Sequence, residues 1–449
     1  MKRSILCFVL VILTADSQDS YGCSSVCLNK NGQLILGNNM DWVLDYGLVI
    51  INKRNVVKRG FWYANEPEWK WTSKYGSISL STEGREFPIR GINEAGLAIV
   101  EMSVAETQYP PTNGLPVLSG SQWIQYQLDN CATVQEVISS QSVVRIEPSD
   151  WQGMAPHFLL CDKTGAVAGI EWMGGELIVY SDSTLSIPVM VNSPYASCIT
   201  TGDDPSGRFK PMADLYNAYD STVASDAISY LFSILDAGFQ NSSFTPTKWQ
   251  IAFDVHAMRF YWKTALNGQL RYCDLEEFDF SCQTSVEVLD INGDGAGNMR
   301  NAFVPYTVDL NSALVASTYS VYNGYSSYLG KTYSQDTING IIAFPESTFC
   351  DVESISKVQN SSGNRRLRLI NIPETDLVHI FLPEISSNPV TVSFFDTRGR
   401  TIVSEMVSNT IQSGQNRIIC KLPSISRGLY CCKINSAKIS YVQPFLLKK

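Results

Sequence analysis

The sequence predicts a layered α+β body followed by a small all-β module. Three observations carry this. Across residues 23–345, strand patterns give way to helical patterns and then return to strands, the order of stacked layers rather than of an alternating parallel sheet. Residues 346–374 shift in composition, collecting Ser, Asn and Gly in "QNSSGN" as a linker would. Residues 375–449 then read as short strands with Arg-Gly turns, "PVTVSFFDTRGRTIVSEMV" and "NRIICKLPSISRGLYCCKINSAKISYVQPFLLKK".

The elements follow in order. Lys2 and Arg3 precede an apolar run over residues 4–15, too short to span a membrane, so residues 1–22 read as a signal peptide with a propeptide. From Cys23, "CSSVCL" and "QLILGNNMDW" flank "NKNG", a hairpin signal centred on Asn31-Gly32. With the turn centred near Gly32, Cys23 falls opposite Asp41; a one-residue slip puts Met40 there, and both registers stay open. "TSKYGSISLS" and "GINEAGLAIVEMSV" read as strands, and residues 119–140 as helix, with Thr133 and Glu136 forming a capping box for the second half. "HFLLCDKTGAVAGIEWMGGELIVYSD" gives three strands broken at Lys163-Thr164-Gly165 and Gly174-Gly175. Helical spacing returns in "RFKPMADLYNAY" and "ASDAISYLFSILDAG", and strands in "KWQIAFDVHAMRFYWKTALNGQLRYCDL". His157 and His256 fall within strand patterns.

Composition narrows the function classes. The chain has 449 residues, 44% hydrophobic and 17% charged, enough for one large core or two smaller ones. Its net charge of -9 is unchanged when Lys2, Arg3, Asp16 and Asp19 leave with the signal, and no basic block remains, so nucleic acid is not the expected partner. Twelve cysteines, one of them Cys7 in the signal, leave an odd number thinly spread. That is no disulfide scaffold, and at least one thiol stays free. Cys27, four residues along the strand from Cys23, is expected in the core, and Cys420 and Cys431 are spaced to meet across a hairpin. Three scattered histidines and no CxxC or HExxH spacing argue against zinc, and no metal or cofactor is expected. "DINGDG" at 290–295 opens like a calcium loop but has Asn301 where the last ligand should be Glu, so a β-turn is expected.

The chemistry centres on Cys23. An N-terminal cysteine carries its own base, since an α-amine titrates near pH 7.7–8.0. Cleavage must expose it, and Ser20 and Gly22 are small residues at the third-last and last positions before Cys23. Because "DSQDSYG" is polar, the signal enzyme is also free to cut near Ala15 and leave a propeptide for autocatalytic removal. The competing reading of Cys23 as a lipoprotein cysteine fits poorly with Ser20 and that polar stretch.

At these residues a resemblance emerges. The hairpin, "NEAGL" at 93–97, "VNSP" at 191–194, "SGRF" at 206–209 and "YWKTALNGQLRYCDL" at 261–275 resemble, in order, the choloylglycine hydrolase family of bile salt hydrolases and penicillin V acylases. "WTSKYGS", "WIQYQLDN" and "VLDINGDG" resemble its Gram-negative branch. The resemblance implies an N-terminal-nucleophile hydrolase, a four-layer αββα sandwich over residues 23–345, cleaving linear amides without a cofactor. It implies that Cys23 is nucleophile and base, that Asp41 orients amine and thiol, that Asn192 donates to the oxyanion and that Arg208 is a cation near the thiolate. Ser103 falls where the family has an Asn or Tyr of the oxyanion hole, and Asn38 where it usually has Arg. Losing that charge weakens thiolate stabilisation, which keeps a second reading open, a surface binding protein on an inactivated hydrolase fold. The implied substrates are conjugated bile salts or penicillin V-like compounds, with N-acyl homoserine lactones and other N-acyl amines as alternatives. The short segment between Asn192 and Arg208 implies a smaller homo-oligomer than the family's tetramers. Finally, "VTVSFFDTRGR", "LPSISRGLY" and "PFLLKK" resemble the C-terminal sorting domain of the type IX secretion system, implying that machinery as partner and a secreted or cell-surface protein, periplasmic in transit.

Overall fold

The computed structural model describes residues 22–61, 69–111, 113–147, 155–223 and 226–351 and, beyond them, 368–371, 377–381, 390–396, 400–407, 410–412, 415–422, 428–435 and 440–447. The expected signal peptide lies outside the described residues except for Gly22. The chain divides into two compact units, residues 1–350 and 351–449.

The larger unit is built on two sheets. A seven-stranded sheet runs Val189–Met190, Cys23–Leu28, Ile35–Asp41, Thr247–Asp254, Arg259–Thr264, Arg271–Asp274 and Gly297–Asn298. A nine-stranded sheet runs Glu176–Ser181, Val167–Met173, Pro156–Cys161, Ala98–Ser103, Arg90–Asn93, Ser77–Ser81, Leu48–Asn52, Glu287–Asp290 and Val304–Pro305. Strand alternation sends successive side chains to opposite faces, and here both faces are buried. From Ala98–Ser103, Ala98 and Val100 join one core with Ile251, Phe253, Leu231 and Leu235, whereas Ile99 joins another with Phe158, Trp123 and Leu128. Helices Phe209–Ala218 and Ala227–Ala237 cover the seven-stranded sheet, and Gly120–Asn130 and Val134–Ser140 cover the nine-stranded one. The four layers expected from the resemblance are thus present. Thr133 Oγ1 accepts from Glu136 N–H, but the Glu136 carboxylate accepts from Ala132 N–H and not from Thr133 N–H, so only the first half of the expected capping box forms.

The opening hairpin resolves the open register. Asn31 (φ 52°) and Gly32 (φ 80°) are both left-handed, and Gln33 N–H donates to Lys30 O at 2.9 Å. These are the two central residues of a type I′ turn, so the turn is centred between them and not on Gly32. Cys23 therefore pairs with Met40, while Asp41 pairs on its other side with Thr247.

Other expectations are corrected or refined. His157 is a buried strand residue, but His256 is exposed in the turn between Thr247–Asp254 and Arg259–Thr264, where Met258 adopts φ 51° to reverse the chain. Residues 290–293 close a turn through Gly293 N–H to Asp290 O. Cys27 is buried and free, and one disulfide, Cys282–Cys350, occurs among the described residues.

The smaller unit contains two four-stranded sheets around Val378, Ile380, Val392, Phe394, Tyr430 and Ile434. Cys420 and Cys431 do not meet across a hairpin. Cys420 lies on Gln415–Lys421 in one sheet, and Cys431 on Gly428–Asn435 in the other, opposite Pro444 and Phe395.

Candidate active site

Cys23 begins its strand and lies where three segments of the chain converge. Strand Val189–Met190 pairs with Ser25 and Val26, which delivers Asn192, two residues on, to the Cys23 backbone. Cys23 N–H donates to Asn192 Oδ1 at 2.5 Å, and Asn192 Nδ2 donates to Ser103 O at 2.8 Å. The segment after Asn192 is held by a buried pair: His157 Nδ1 lies 3.0 Å from Glu171 Oε1, which also accepts from Tyr195 N–H at 2.9 Å.

Arg208 arrives by a different local device. Asp204 accepts backbone N–H bonds from Ser206, Arg208 and Phe209, folding "DPSGRF" into a turn at the start of helix Phe209–Ala218. The fixed guanidinium fork then bridges two site residues, Nη1 to Asp41 Oδ2 and Nη2 to Asn192 Oδ1, each at 2.8 Å. Thr247 Oγ1 donates to the other Asp41 oxygen at 2.5 Å. Burial pushes the Asp41 carboxyl up to about 7, opposed chiefly by Arg208 and then by Thr247. Asp41 meets the nucleophile through its own backbone N–H, which bonds the Cys23 thiol.

Gly22 precedes Cys23 and is buried in the same site. A Cβ at this position would displace the Gln240 side-chain amide and come within 2.8 Å of Asp41 Oδ2.

The structure thus brings together Cys23, Asp41, Asn192, Arg208 and the backbone of Ser103. Asn38 stands apart. Its Nδ2 donates to Ser24 O and Ser25 Oγ, and it is not among the pocket-lining residues. Around the thiol, a pocket is walled by Met40, Trp42, Ile89, Met102 and Tyr322 and carries Glu83, Arg90 and Glu101. Trp42 Nε1–H donates to Tyr322 Oη, and Tyr322 O–H donates to Glu83 Oε1, each at 3.3 Å. Burial pushes Glu83 up to about 7 and Glu101 to about 8. It also pushes the Cys23 thiol up to about 11, with Arg90 the largest opposing influence.

Sequence reasoning missed the charged residues of this wall. The available signal was their setting: Arg90 in "FPIRGIN" and Glu101 in "LAIVEMSV" are lone charges inside apolar strand runs. A charge there has to be explained by a partner or by a site. Among the described residues, no group of three or more His, Cys, Asp or Glu is arranged to hold a metal ion.

Residues 23–201 match the model of linear amide C–N hydrolases, choloylglycine hydrolase family, and residues 372–448 that of a secretion system C-terminal sorting domain. Penicillin V acylase of Pectobacterium atrosepticum is 26% identical over 339 residues, spanning 63% of this chain and 88% of its own. Among solved structures, penicillin V acylase from Agrobacterium tumefaciens is 24% identical, covers 64% of this chain and 98% of its own, and superposes with a TM-score of 0.54. A mutant conjugated bile acid hydrolase from Clostridium perfringens is 18% identical, with coverages of 64% and 96% and a TM-score of 0.50. Both structures share the N-terminal-nucleophile hydrolase fold. Residues 23–201 of the larger domain thus carry a match to the choloylglycine hydrolase family of linear amide C–N hydrolases, and the chain ends in a sorting domain that directs it out of the cell or onto its surface.

Proposed function

We propose that this protein hydrolyses N-acyl amides through an acyl-thioester on Cys23, after cleavage before Cys23 has freed its α-amine. The supporting observation is the hydrogen-bonded chain beside Cys23, in which Cys23 N–H, Asn192 Oδ1, Arg208 and the Asp41 carboxylate follow one another at 2.5–2.8 Å. In the processed protein the amine takes the thiol proton and the sulfur attacks the acyl carbon, forming a tetrahedral oxyanion. Asn192 Nδ2 carries two hydrogens and gives one to Ser103 O, which leaves the second for that oxyanion. Collapse breaks the C–N bond, with the ammonium proton passing to the leaving amine. Water then gives a proton to the α-amine and attacks the thioester, releasing the acid and restoring the thiol.

Arg208 and Thr247 hold Asp41 in place, and Asp41 holds the sulfur by its N–H. The candidate substrates are those named by the relatives, penicillin V and conjugated bile acids, together with acyl homoserine lactones and other N-acyl amines. The test is a hydrolysis panel of these compounds on processed protein, with its N-terminus read by mass spectrometry. A free Cys23 α-amine and turnover of at least one class are expected, with Cys23→Ala losing at least about 10⁴-fold in rate. Undiminished turnover by that variant would reject the cysteine mechanism. The rival reading, a binding protein on this fold, draws on the uncharged Asn38; it predicts saturable binding of the panel without turnover.

A further inference from the structure

The hairpin carries no cation beside its cysteine. Asn38 faces Ser25, two residues along from Cys23 on the same side of the strand, and offers only an amide. A buried thiol with no positive neighbour stays protonated and inert. Yet a cation is present, from the other sheet. Arg90, on strand Arg90–Asn93, is 1% exposed and lies across from Leu80 and Val100, both members of the apolar layer between the sheets. It lines the pocket with Cys23, and its charge is the largest influence favouring the thiolate. Its Nε and Nη1 have no hydrogen-bond partner.

A buried guanidinium with unmatched N–H groups costs about 1–3 kcal/mol for each. The apolar layer gives no structural return for that cost, whereas the reacting sulfur does.

We propose that Arg90 supplies from the nine-stranded sheet the positive charge that the hairpin lacks at Asn38, making it a catalytic residue that favours the Cys23 thiolate. This rests on the reading of Cys23 as nucleophile. The groups that bear on the thiol come from every side of the site: Asp41 from the hairpin, Glu101 from Ala98–Ser103, Glu83 after Ser77–Ser81, Arg208 at its helix start and Tyr322 from helix Val308–Gly324. Glu101 and Asp41 are the anions that oppose Arg90, and Arg208 is already committed to Asp41 and Asn192. Arg90 is thus the cation whose hydrogens remain for the sulfur and for a substrate oxygen.

The test is the pH profile of Cys23 alkylation in the processed protein, followed by peptide mass spectrometry without substrate. Arg90→Gln is expected to move the profile to higher pH, slowing alkylation at pH 7 at least about tenfold. Arg90→Lys, which keeps the charge, should move it less. Amide hydrolysis by Arg90→Gln should recover relative to the parent as pH rises from 7 to 9. If Arg90→Gln does not fold, Arg90→Gln with Glu101→Gln, which removes cation and counter-ion together, is compared with Glu101→Gln alone and should be displaced upward relative to it. A folded variant of either kind with an unmoved alkylation profile overturns the role of Arg90 and leaves Cys23→Ala as the separate judge of the nucleophile.

Discussion

Two buried cations in the larger domain meet opposite treatment. Lys58, on strand Val56–Arg59, lies 2.9 Å from Glu86 and 3.2 Å from Asp129, and Asp129 is further bonded by Trp71 Nε1 at 2.7 Å and Gln125 at 2.9 Å. Arg90 has no comparable enclosure, and two of its nitrogens point at no acceptor. Both are almost fully buried. The difference teaches how to separate a charge that holds a fold together from one kept for chemistry. A structural charge is answered by neighbours, because an unanswered one is costly. A charge whose partner is the substrate or a transient anion is left partly unanswered until that partner arrives.

The largest expected effect tests the first half of this contrast. Lys58→Met leaves Glu86 and Asp129 without their cation and should cost about 3–5 kcal/mol in urea unfolding of the larger domain. The alkylation profile of Cys23 should not move. A displaced profile would mean that the two clusters are coupled, and the contrast would fail. Next comes Thr247→Val, which removes the donor on Asp41 Oδ1 while Arg208 stays. Hydrolysis should fall roughly tenfold, matching one lost hydrogen bond to a charged group of about 1.5 kcal/mol. Because Thr247 helps hold the Asp41 carboxyl down, the acid limb of the rate profile should also move to higher pH.

The smallest effect concerns Glu101, raised by burial from 4.5 to about 8. A carboxyl raised on folding adds stability below its unfolded value and loses it as pH climbs through the folded value. Glu101→Gln does not titrate, so its stability relative to the parent should rise between pH 5 and pH 8.5, by about 1 kcal/mol once partial solvation is allowed for. A flat difference across that range would mean that the parent carboxyl is already ionised at pH 5.

Much of the fold was legible along the chain. Hairpin, the Thr133 N-cap and strand triplet are local signals, set by turn chemistry and periodicity within a dozen residues. Cys23, Asp41, Asn192 and Arg208 were legible as a group only through the motifs around them, since singly each reads as an ordinary turn or surface residue. Arg90 and Glu101 were not legible as site residues, although their charge inside apolar runs marked them. Nothing within either strand says what lies on the opposite sheet.

By itself, then, the sequence determined the order of layers, the turn at Asn31-Gly32, the glycine before the cysteine and the export module at the end. Tertiary structure alone decided that Met40 and not Asp41 stands across from Cys23, that Asn38 turns to Ser24 and Ser25, and that an arginine from the facing sheet lines the sulfur's pocket. The reason is physical. Local patterns fix which side of a strand a residue occupies, but the electrostatic surroundings of a buried sulfur are set by side chains distant in sequence, which only the closed sandwich brings together.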